Sequence, residues 1–359
     1  MNGTQRLRLA AGGLLAVVLL AVVLRGVEWP ALFRALREAR LAPLAGLLVV
    51  SVVTYWIRAW RWGFLLAPLG QVPLSRLFPV TMIGFLAGLV IPRAAEVLRP
   101  YLVSRSHGIP TSAGFATIVV ERLLDLLTVL TLFAVYLFVL PAPSQQTHGP
   151  LIDVLKVAGA ITAAGAILVV LLLVAFHRNA ARAMSVLDRV FSRLPPRLSG
   201  PAGRGLRAFG EGLAVFRAPF GHLLALVGQS FGLWLAIALG FELNNAAFGI
   251  DLPFHATFLL IAFLTVGVSI PTPGMVGGFH AFYLLAMTQA FGTPKDTAVA
   301  AGLTAHALSN LPVLVLGLVY LGREGLTLGK VAAMTEEKAE EGLAPDAGAR
   351  RAEAVESRR

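Results

Sequence analysis

Cysteine is absent from all 359 positions of the chain, and charged side chains are scarce. Without cysteine the protein has no disulfide, no thiol nucleophile and no cysteine-ligated metal. Charged residues make up 14% of the sequence, against about 25% in ordinary soluble domains. This shortage excludes a typical soluble globular protein. Hydrophobic residues instead account for 57% of the chain, which is typical of an integral membrane protein.

Long apolar runs separated by polar segments organise the chain. Most of them approach the roughly 20 residues that a helix needs to cross the hydrocarbon core of a bilayer. They predict an all-α integral membrane protein, with a polytopic membrane domain over residues 1–321. Residues 322–359 have mixed charge and few apolar side chains, which predicts a disordered cytoplasmic tail. The apolar runs are Leu7–Leu24, Leu41–Ile57, Leu74–Ile91, Phe115–Leu140, Val154–Phe176, His222–Leu243, Phe254–Ile270, Phe279–Phe291 and Ala298–Leu321.

The arginines indicate which loops face the cytoplasm. Residues His177–Arg217 contain eight arginines and two acids, so the positive-inside rule places them inside. Pro141–Asp153 and Glu242–Pro253 contain no Lys or Arg and are predicted to face outside. If every run were a full crossing, two arginine-bearing segments would lie on the wrong side. A re-entrant hairpin over Leu74–Arg105 that enters from the cytoplasm removes this conflict and places the amino terminus in the cytoplasm.

One arginine-bearing segment, Arg25–Arg40, still lies outside in this topology. It carries four arginines and two glutamates, interleaved with apolar residues. This pattern predicts a short amphipathic helix on the outer membrane surface, with Trp29 and Phe33 as interfacial anchors.

An internal repeat supports a second hairpin. Residues His107–Leu127 align with Phe291–Leu311 at a constant offset, and Ile91-Pro92 aligns with Ile270-Pro271. The alternative is a chance alignment of two apolar segments, because apolar sequences align easily. If the repeat is real, residues 254–291 form a hairpin equivalent to the first.

The second hairpin would enter the membrane from outside, so the two halves would have opposite orientation. The halves are about residues 1–140 and 150–321, and both termini are then cytoplasmic. The resulting plan has about six crossing helices and two opposed re-entrant hairpins, and inverted repeats with broken helices are frequent in transporters. The predicted hairpin turns contain Pro92 in the first half and Pro271, Pro273, Gly274, Gly277 and Gly278 in the second.

Charged side chains follow the first predicted hairpin turn and lie within the next helix. A charged residue at the centre of a membrane helix costs about 2.5 to 3.5 kcal/mol, so these side chains are predicted to face a polar cavity and to bind substrate. Arginine suits bidentate contact with a phosphate, and lipid headgroups carry one. The predicted substrate-binding residues are Arg93, Glu96, Arg99, Glu121, Arg122 and Asp125.

The same charges could instead neutralise one another. Glu96 and Arg99, like Arg122 and Asp125, are three residues apart, a spacing at which opposite charges pair along a helix. Glu121 and Asp125 are like charges four residues apart, which is unfavourable unless a cation approaches from elsewhere. An arginine of the hairpin could supply that cation and would then tie the hairpin to the helix.

Two further groups of polar residues are interpreted differently. Arg58 and Arg61 lie among tryptophans and are predicted to belong to an interfacial aromatic belt rather than to a site. His280, His306 and Asn310 lie at the equivalent end of the second half and form a candidate second polar site. Histidines of this kind are more often packing residues with satisfied hydrogen bonds. No metal-ligand spacing surrounds them, so no metal site is predicted.

Three motifs together resemble the family of the lysylphosphatidylglycerol synthase transmembrane region, a group of flippase-like bacterial and archaeal membrane proteins. They are IPRAAEVLR (Ile91–Arg99), VVERLLDLL (Val119–Leu127) and PTPGMVGGFH (Pro271–His280). The chain departs from the family pattern at Ala95, where the family usually has Gly. It also has Met275 and His280 where the family has a glycine-rich turn followed by an acid. The resemblance implies lipid handling, and no soluble aminoacyl-transferase domain is expected here.

The leading expectation is a flippase-like transporter in a bacterial or archaeal cell membrane. Its substrate would be a lipid or lipid-linked precursor with an anionic headgroup. One alternative is a membrane enzyme of glycolipid or polyprenyl-lipid metabolism that uses Glu96 and Asp125 as bases. Another is an accessory scaffold for such an enzyme. A proton is a candidate coupling ion because Glu96, Glu121 and Asp125 can be protonated. No cofactor and no nucleic acid are expected, and a second copy or a biosynthetic enzyme is a candidate partner.

Overall fold

The computed structural model describes residues 3–139 and 218–327, together with the isolated positions 157, 159, 160, 164, 165, 215 and 329. Four sequence predictions lie outside the described residues. They are the external loop Pro141–Asp153, nearly all of the apolar run Val154–Phe176, nearly all of the arginine-rich segment His177–Arg217, and the tail beyond residue 329. Within the described ranges the regular structure is entirely helical.

The described part of the chain folds into ten helices, and eight of them follow apolar runs, the exceptions being α2 and α5. Proline often marks where they begin: Pro73, Pro110, Pro219 and Pro294 each occupy the position directly before a helix, where the fixed φ of proline and its missing N–H do no harm. The helices are α1 Gly3–Leu24, α2 Trp29–Glu38, α3 Leu41–Leu66, α4 Leu74–Val90, α5 Ala94–His107, α6 Thr111–Phe138, α7 Phe220–Ala247, α8 Ala256–Ser269, α9 Gly278–Leu285 and α10 Lys295–Arg323. A short 3-10 turn, Pro273–Met275, precedes α9, and a π-helical turn, Ala286–Ala290, follows it.

Three helices, α3, α7 and α10, are long and apolar enough to cross a membrane. Helices α1 and α2 pass the same test together but are bent by 90° at the break between them, which gives up to four spans within the described residues. Helices α4 and α8 are shorter and apolar. These findings support a membrane protein. The plan of about six crossing helices with re-entrant hairpins remains a prediction.

Helix α2 is the short amphipathic helix that the sequence predicts. Leu32 is buried, whereas Trp29 and Phe33 are 51% and 54% exposed. The start of α2 is fixed to the start of α10, because the backbone N–H of Glu28 donates to Oδ1 of Asp296 at 3.0 Å. Its position at the outer membrane surface remains a prediction.

Helices α4 and α5 form hairpin 1, which turns at Ile91-Pro92-Arg93. Arg93 adopts the left-handed conformation with φ 64°, which is uncommon for a residue other than glycine. The two helices pack tightly because Gly84 has no side chain: a Cβ there would lie 2.5 Å from Cγ of Arg99. Gly88 faces Ala95 less tightly, since a Cβ there would lie 3.7 Å from Cβ of Ala95. Pro92 lies in the break between the end of α4 at Val90 and the start of α5 at Ala94, and its role as the turn of a re-entrant hairpin stays a prediction.

Helices α8 and α9 form hairpin 2, whose turn spans residues 270–277. This turn also contains a non-glycine residue with positive φ, Met275 at 56°. Gly267 and Gly278 form the close contact between its helices, since a Cβ on Gly267 would lie 2.6 Å from the carbonyl oxygen of Gly278. Pro271 and Pro273 lie in this turn, as does Gly274 with φ 62°, between the end of α8 at Ser269 and the start of α9 at Gly278.

The two hairpins open toward opposite ends of the molecule. At the upper end, the N–H of Arg40 at the start of α3 donates to the carbonyl of Ala247 at the end of α7, at 2.9 Å. At the lower end, Arg76 near the start of α4 lies 3.7 Å from Glu324 just after α10. Gly70 and Ile109, which flank hairpin 1, pack together at this lower end. Hairpin 2 lies between the upper-end segments, after α7 and before α10.

The tips of both hairpins meet partway along α10. Gly274 in the turn of hairpin 2 faces the backbone of Leu89 near the turn of hairpin 1. The carbonyl oxygen of Gly274 also lies 2.9 Å from Nε2 of His306 on α10. This arrangement leaves a cavity beside the two tips.

Candidate functional site

A cavity of about 550 Å³ lies between the hairpin tips and helices α3, α6, α7 and α10. Most of the residues predicted to bind substrate line it, and so do two residues of the candidate second polar site. The structure therefore brings the polar residues of both halves to one place. The predicted residues that line it are Pro92, Arg93, Glu96, Arg99, Arg122, Asp125, Pro271, His306 and Asn310. Glu121 and His280 contact lining residues from behind, while Pro273, Gly274, Gly277 and Gly278 shape the turn of hairpin 2.

Arg99 ties hairpin 1 to α6 through Glu121. Its Nη1 and Nη2 each donate to one carboxylate oxygen of Glu121 at 3.0 Å, and both side chains are almost fully buried. The guanidinium also lies 4.3 Å from the ring centroid of Trp62, a favourable cation–π contact. The pairing of Glu96 with Arg99 along α5 is therefore wrong, because the arginine fork extends across to α6. The predicted link between hairpin and helix is confirmed.

A second cluster surrounds Asp125. Nη2 of Arg61 lies 2.8 Å from its Oδ1, and Nη1 of Arg122 lies 3.4 Å from its Oδ2, which confirms the pairing along α6. Nε1 of Trp234 on α7 donates to Oδ1 at 3.1 Å. Arg58 approaches Oδ2 at 3.7 Å. Asp125 thus holds together three helices, α3, α6 and α7.

The assignment of Arg58 and Arg61 to an interfacial belt is wrong. Arg61 is fully buried, and its Nη1 donates to Oγ of Ser230 on α7 at 2.9 Å. The belt interpretation fits only Trp56 and Trp60, which are 46% and 39% exposed. Helical periodicity could have separated the two sets, since residues three, four and seven apart share a face. Positions 51, 54, 58 and 61 follow that spacing on the inner face of α3, whereas positions 56 and 60 lie on another face.

The cluster carries more positive than negative charge. Arg58, Arg61, Arg99 and Arg122 face two carboxylates, Glu121 and Asp125, which leaves an excess of two positive charges. Arg93 and Glu96, which also line the cavity, cancel each other in this count. Uncompensated charge is costly in a buried environment. The cavity is therefore suited to an anion.

Arg122 is the arginine of this cluster that offers most of its side chain to a ligand. Its side chain is 40% exposed, whereas those of Arg61 and Arg99 are almost fully buried. Its Nη2 also contacts Oε1 of Glu121. Each carboxylate has another arginine, so Arg122 is not the sole partner of either one.

The histidines of the second half are paired rather than isolated. The ring centroids of His280 and His306 lie 4.8 Å apart, and Phe279 stacks on His306 at the same distance. Nδ2 of Asn310 donates to the carbonyl of His306 at 2.9 Å. His306 therefore has the satisfied contacts of a packing residue and also lines the cavity. The described residues contain no group of three His, Asp or Glu side chains that could hold a metal ion.

Two comparisons relate the chain to known proteins. Over 141 residues the chain is 34% identical to glycosyltransferase AglD from Haloferax volcanii, a match that covers 39% of this chain. The match spans only 23% of the length of that relative. The family described as the lysylphosphatidylglycerol synthase TM region matches residues 9–317. The chain therefore belongs to the lysylphosphatidylglycerol synthase TM region family, as its three motifs predict.

Proposed function

We propose that this protein is a flippase-like transporter for a lipid or lipid-linked precursor with an anionic headgroup. The observation that carries the proposal is the excess of two positive charges around a cavity between two opposed hairpins. Arginine binds phosphate through a planar fork, and Arg122 offers an exposed one. The volume of about 550 Å³ falls within the roughly 300 to 1,000 Å³ of small-molecule sites.

The opposed hairpins favour transport over passive anchoring. Both contain a helix break with a positive-φ residue, Arg93 in one and Met275 in the other. Their tips meet beside the cavity, as binding sites in transporters with inverted repeats commonly lie where broken helices meet. We propose that the halves form an inverted repeat of re-entrant hairpins in a cell membrane, with both termini cytoplasmic. Rocking of the halves would then expose the cavity to each side in turn.

A second candidate is a membrane enzyme of glycolipid or polyprenyl-lipid metabolism, or an accessory protein to one. The name of the relative, a glycosyltransferase, favours this candidate. Glu96 and Asp125 line the cavity and are the carboxylates that such chemistry could use. The transport assay below separates the two candidates, because an enzyme would change its lipid rather than move it.

The transport proposal predicts charge-selective lipid transfer. The purified protein is reconstituted into liposomes that contain fluorescent phosphatidylglycerol or fluorescent phosphatidylcholine, and transfer between leaflets is followed by quenching with dithionite. We expect transfer of the anionic lipid over the zwitterionic one. Arg122→Gln should slow it about tenfold or more, because hydrogen bonds to charged groups contribute about 1.5 to 3 kcal/mol.

Arg76→Gln is the matched control. Arg76 is 65% exposed and its ion pair with Glu324 lies away from the cavity, so transfer should be unchanged.

A pH gradient across the liposome tests proton coupling through Glu96, Glu121 or Asp125. Equal transfer of both lipids contradicts the anionic specificity. Chemical modification of a lipid without transfer would reject transport in favour of the enzyme.

A further inference from the structure

The cavity has a hydroxyl-bearing wall beside its arginines. Thr54 and Ser51 line the cavity on α3, four and seven residues before Arg58 and on the same face of the helix. At a rise of 1.5 Å per residue, they lie about 6 and 10 Å from Arg58 along the helix axis. Thr265 and Ser269 on α8 also line the cavity. Hydroxyl groups from two helices therefore line the same cavity as the arginines.

These four hydroxyls offer acceptors rather than donors. Each donates its hydrogen to a carbonyl of its own helix at 2.7 to 2.8 Å. A hydroxyl has one hydrogen and two lone pairs, so only its lone pairs remain for a ligand. Phosphate oxygens cannot bond to such a surface, because they too are acceptors. A ligand group that contacts this wall must bring its own O–H or N–H donors.

Thr272, in the turn of hairpin 2, points to a ligand independently. It lines the cavity and is only 2% exposed, yet its Oγ1 has no hydrogen-bond partner among the described residues. Buried polar groups in proteins are nearly always paired. A bound ligand that exchanges a hydrogen bond with Oγ1 would satisfy it.

The charge of the cavity decides which kind of donor fits. A cationic headgroup would bring N–H donors, but the lining contains four arginines against Glu96 and Asp125. A further positive charge would be repelled, whereas a neutral hydroxyl group would not. The hydroxyl wall is therefore suited to a neutral group with several O–H donors.

We infer that the cavity takes a phosphate-bearing lipid whose headgroup continues beyond the phosphate as a neutral sugar or polyol. The phosphate binds at Arg122 and Arg58, and the O–H groups bind the oxygens of Ser51, Thr54, Thr265, Ser269 and Thr272. The inference rests on the proposed function, since it names the substrate class of the same cavity. A glycosylated polyprenyl phosphate and a phosphatidylpolyol share this chemistry.

Binding measurements on the full chain test the inference. The protein is placed in nanodiscs of phosphatidylcholine, because alkyl glycoside detergents would themselves supply sugar hydroxyls. The probes are short-chain phosphatidylinositol, phosphatidic acid and phosphatidylethanolamine, together with a glucosyl citronellyl phosphate, and each dissociation constant is measured by titration calorimetry. The wild type should bind phosphatidylinositol about tenfold more tightly than phosphatidic acid, as expected from one or two additional net hydrogen bonds.

Removing hydroxyls should abolish that preference. Thr265→Val with Thr272→Val should weaken phosphatidylinositol about tenfold and leave phosphatidic acid unchanged. Thr288→Val is the matched control, because Thr288 makes the same bond to its helix as Thr265, at 2.8 Å, but does not line the cavity. Ser269→Ala, at an exposed position, provides a milder variant that tests the same wall if the double variant does not fold.

The outcomes separate this inference from the proposed function. Equal binding of phosphatidylinositol and phosphatidic acid, or tighter binding of phosphatidylethanolamine, overturns the inference of a sugar or polyol headgroup. Neither result contradicts the proposal that the cavity binds an anion. If phosphatidic acid does not bind and Arg122→Gln does not alter transfer, the proposed function fails as well. Tighter binding of the glucosyl citronellyl phosphate assigns the lipid to the polyprenyl class. Tighter binding of phosphatidylinositol assigns it to the phosphatidylpolyols, and either result supports the inference.

Discussion

Glu121 supplies the negative charge that neutralises the buried guanidinium of Arg99. It is fully buried and accepts both Nη groups of Arg99. Moving both charges of such a pair out of water costs free energy, so a buried ion pair adds little net stability to a protein. Removing only one partner is strongly destabilising, because the other charge stays buried without a counter-charge.

We expect Glu121→Gln to lower the free energy of unfolding by about 3 to 5 kcal/mol. The variant leaves four arginines around a single carboxylate, Asp125. Unfolding by sodium dodecyl sulfate in mixed micelles, followed by tryptophan fluorescence, measures the change. Glu324→Gln is the control, since Glu324 and Arg76 are 49% and 65% exposed and exposed pairs contribute about 0 to 1 kcal/mol. Similar losses in the two variants would contradict a structural role for the Arg99–Glu121 link.

At the scale of elements, both hairpins depend on glycines where their helices touch. Gly267 faces backbone, the carbonyl oxygen of Gly278 at 2.6 Å, together with Cβ of Phe282 at 2.9 Å. Neither neighbour can rotate away without moving its helix. Gly84 instead faces the side chain of Arg99, so a methyl group there disturbs the arginine that reaches Glu121.

Gly267→Ala should therefore separate the helices of hairpin 2 and destabilise the protein by about 1 to 3 kcal/mol, as overpacking generally does. Gly228→Ala is the matched control, because Gly228 lies within α7 and a Cβ there meets nothing within 4 Å. That control should be neutral or stabilising, since alanine favours helices over glycine by up to about 1 kcal/mol. The same unfolding assay compares the two, and equal effects would show that the glycine contact does not hold the hairpin.

At the scale of the whole molecule, the sequence predicts the positions of helices better than the ion-pair partners of charged side chains. The run Leu74–Ile91 matches α4, and both helix breaks lie at the predicted prolines, because hydrophobic periodicity and proline act locally. The partner of Arg99 lies on another helix, and spacing along α5 favoured Glu96 instead. The belt interpretation of Arg58 and Arg61 is wrong for a related reason: nearby tryptophans indicate an interface, while the carboxylate that both arginines approach, Asp125, is distant in sequence.

The arrangement of ends predicts which loops share a side of the membrane. Gly70 packs on Ile109 at the lower end, so the loops on both sides of hairpin 1 lie together. The connection before α2 is bonded to the start of α10 at the upper end. Loops at opposite ends should therefore face opposite sides if the long helices cross the bilayer.

Single cysteines test this arrangement directly, because the chain has none to remove. Gln71→Cys and Ser106→Cys flank hairpin 1, and Asp251→Cys and Pro294→Cys flank hairpin 2, all at exposed positions. With an impermeant maleimide added to intact cells, we expect labelling at positions 251 and 294, and at 71 and 106 only after the membrane is permeabilised. A full crossing within hairpin 1 would place positions 71 and 106 on opposite sides. That result would contradict the re-entrant hairpin and, with it, the opposed halves on which alternating access depends.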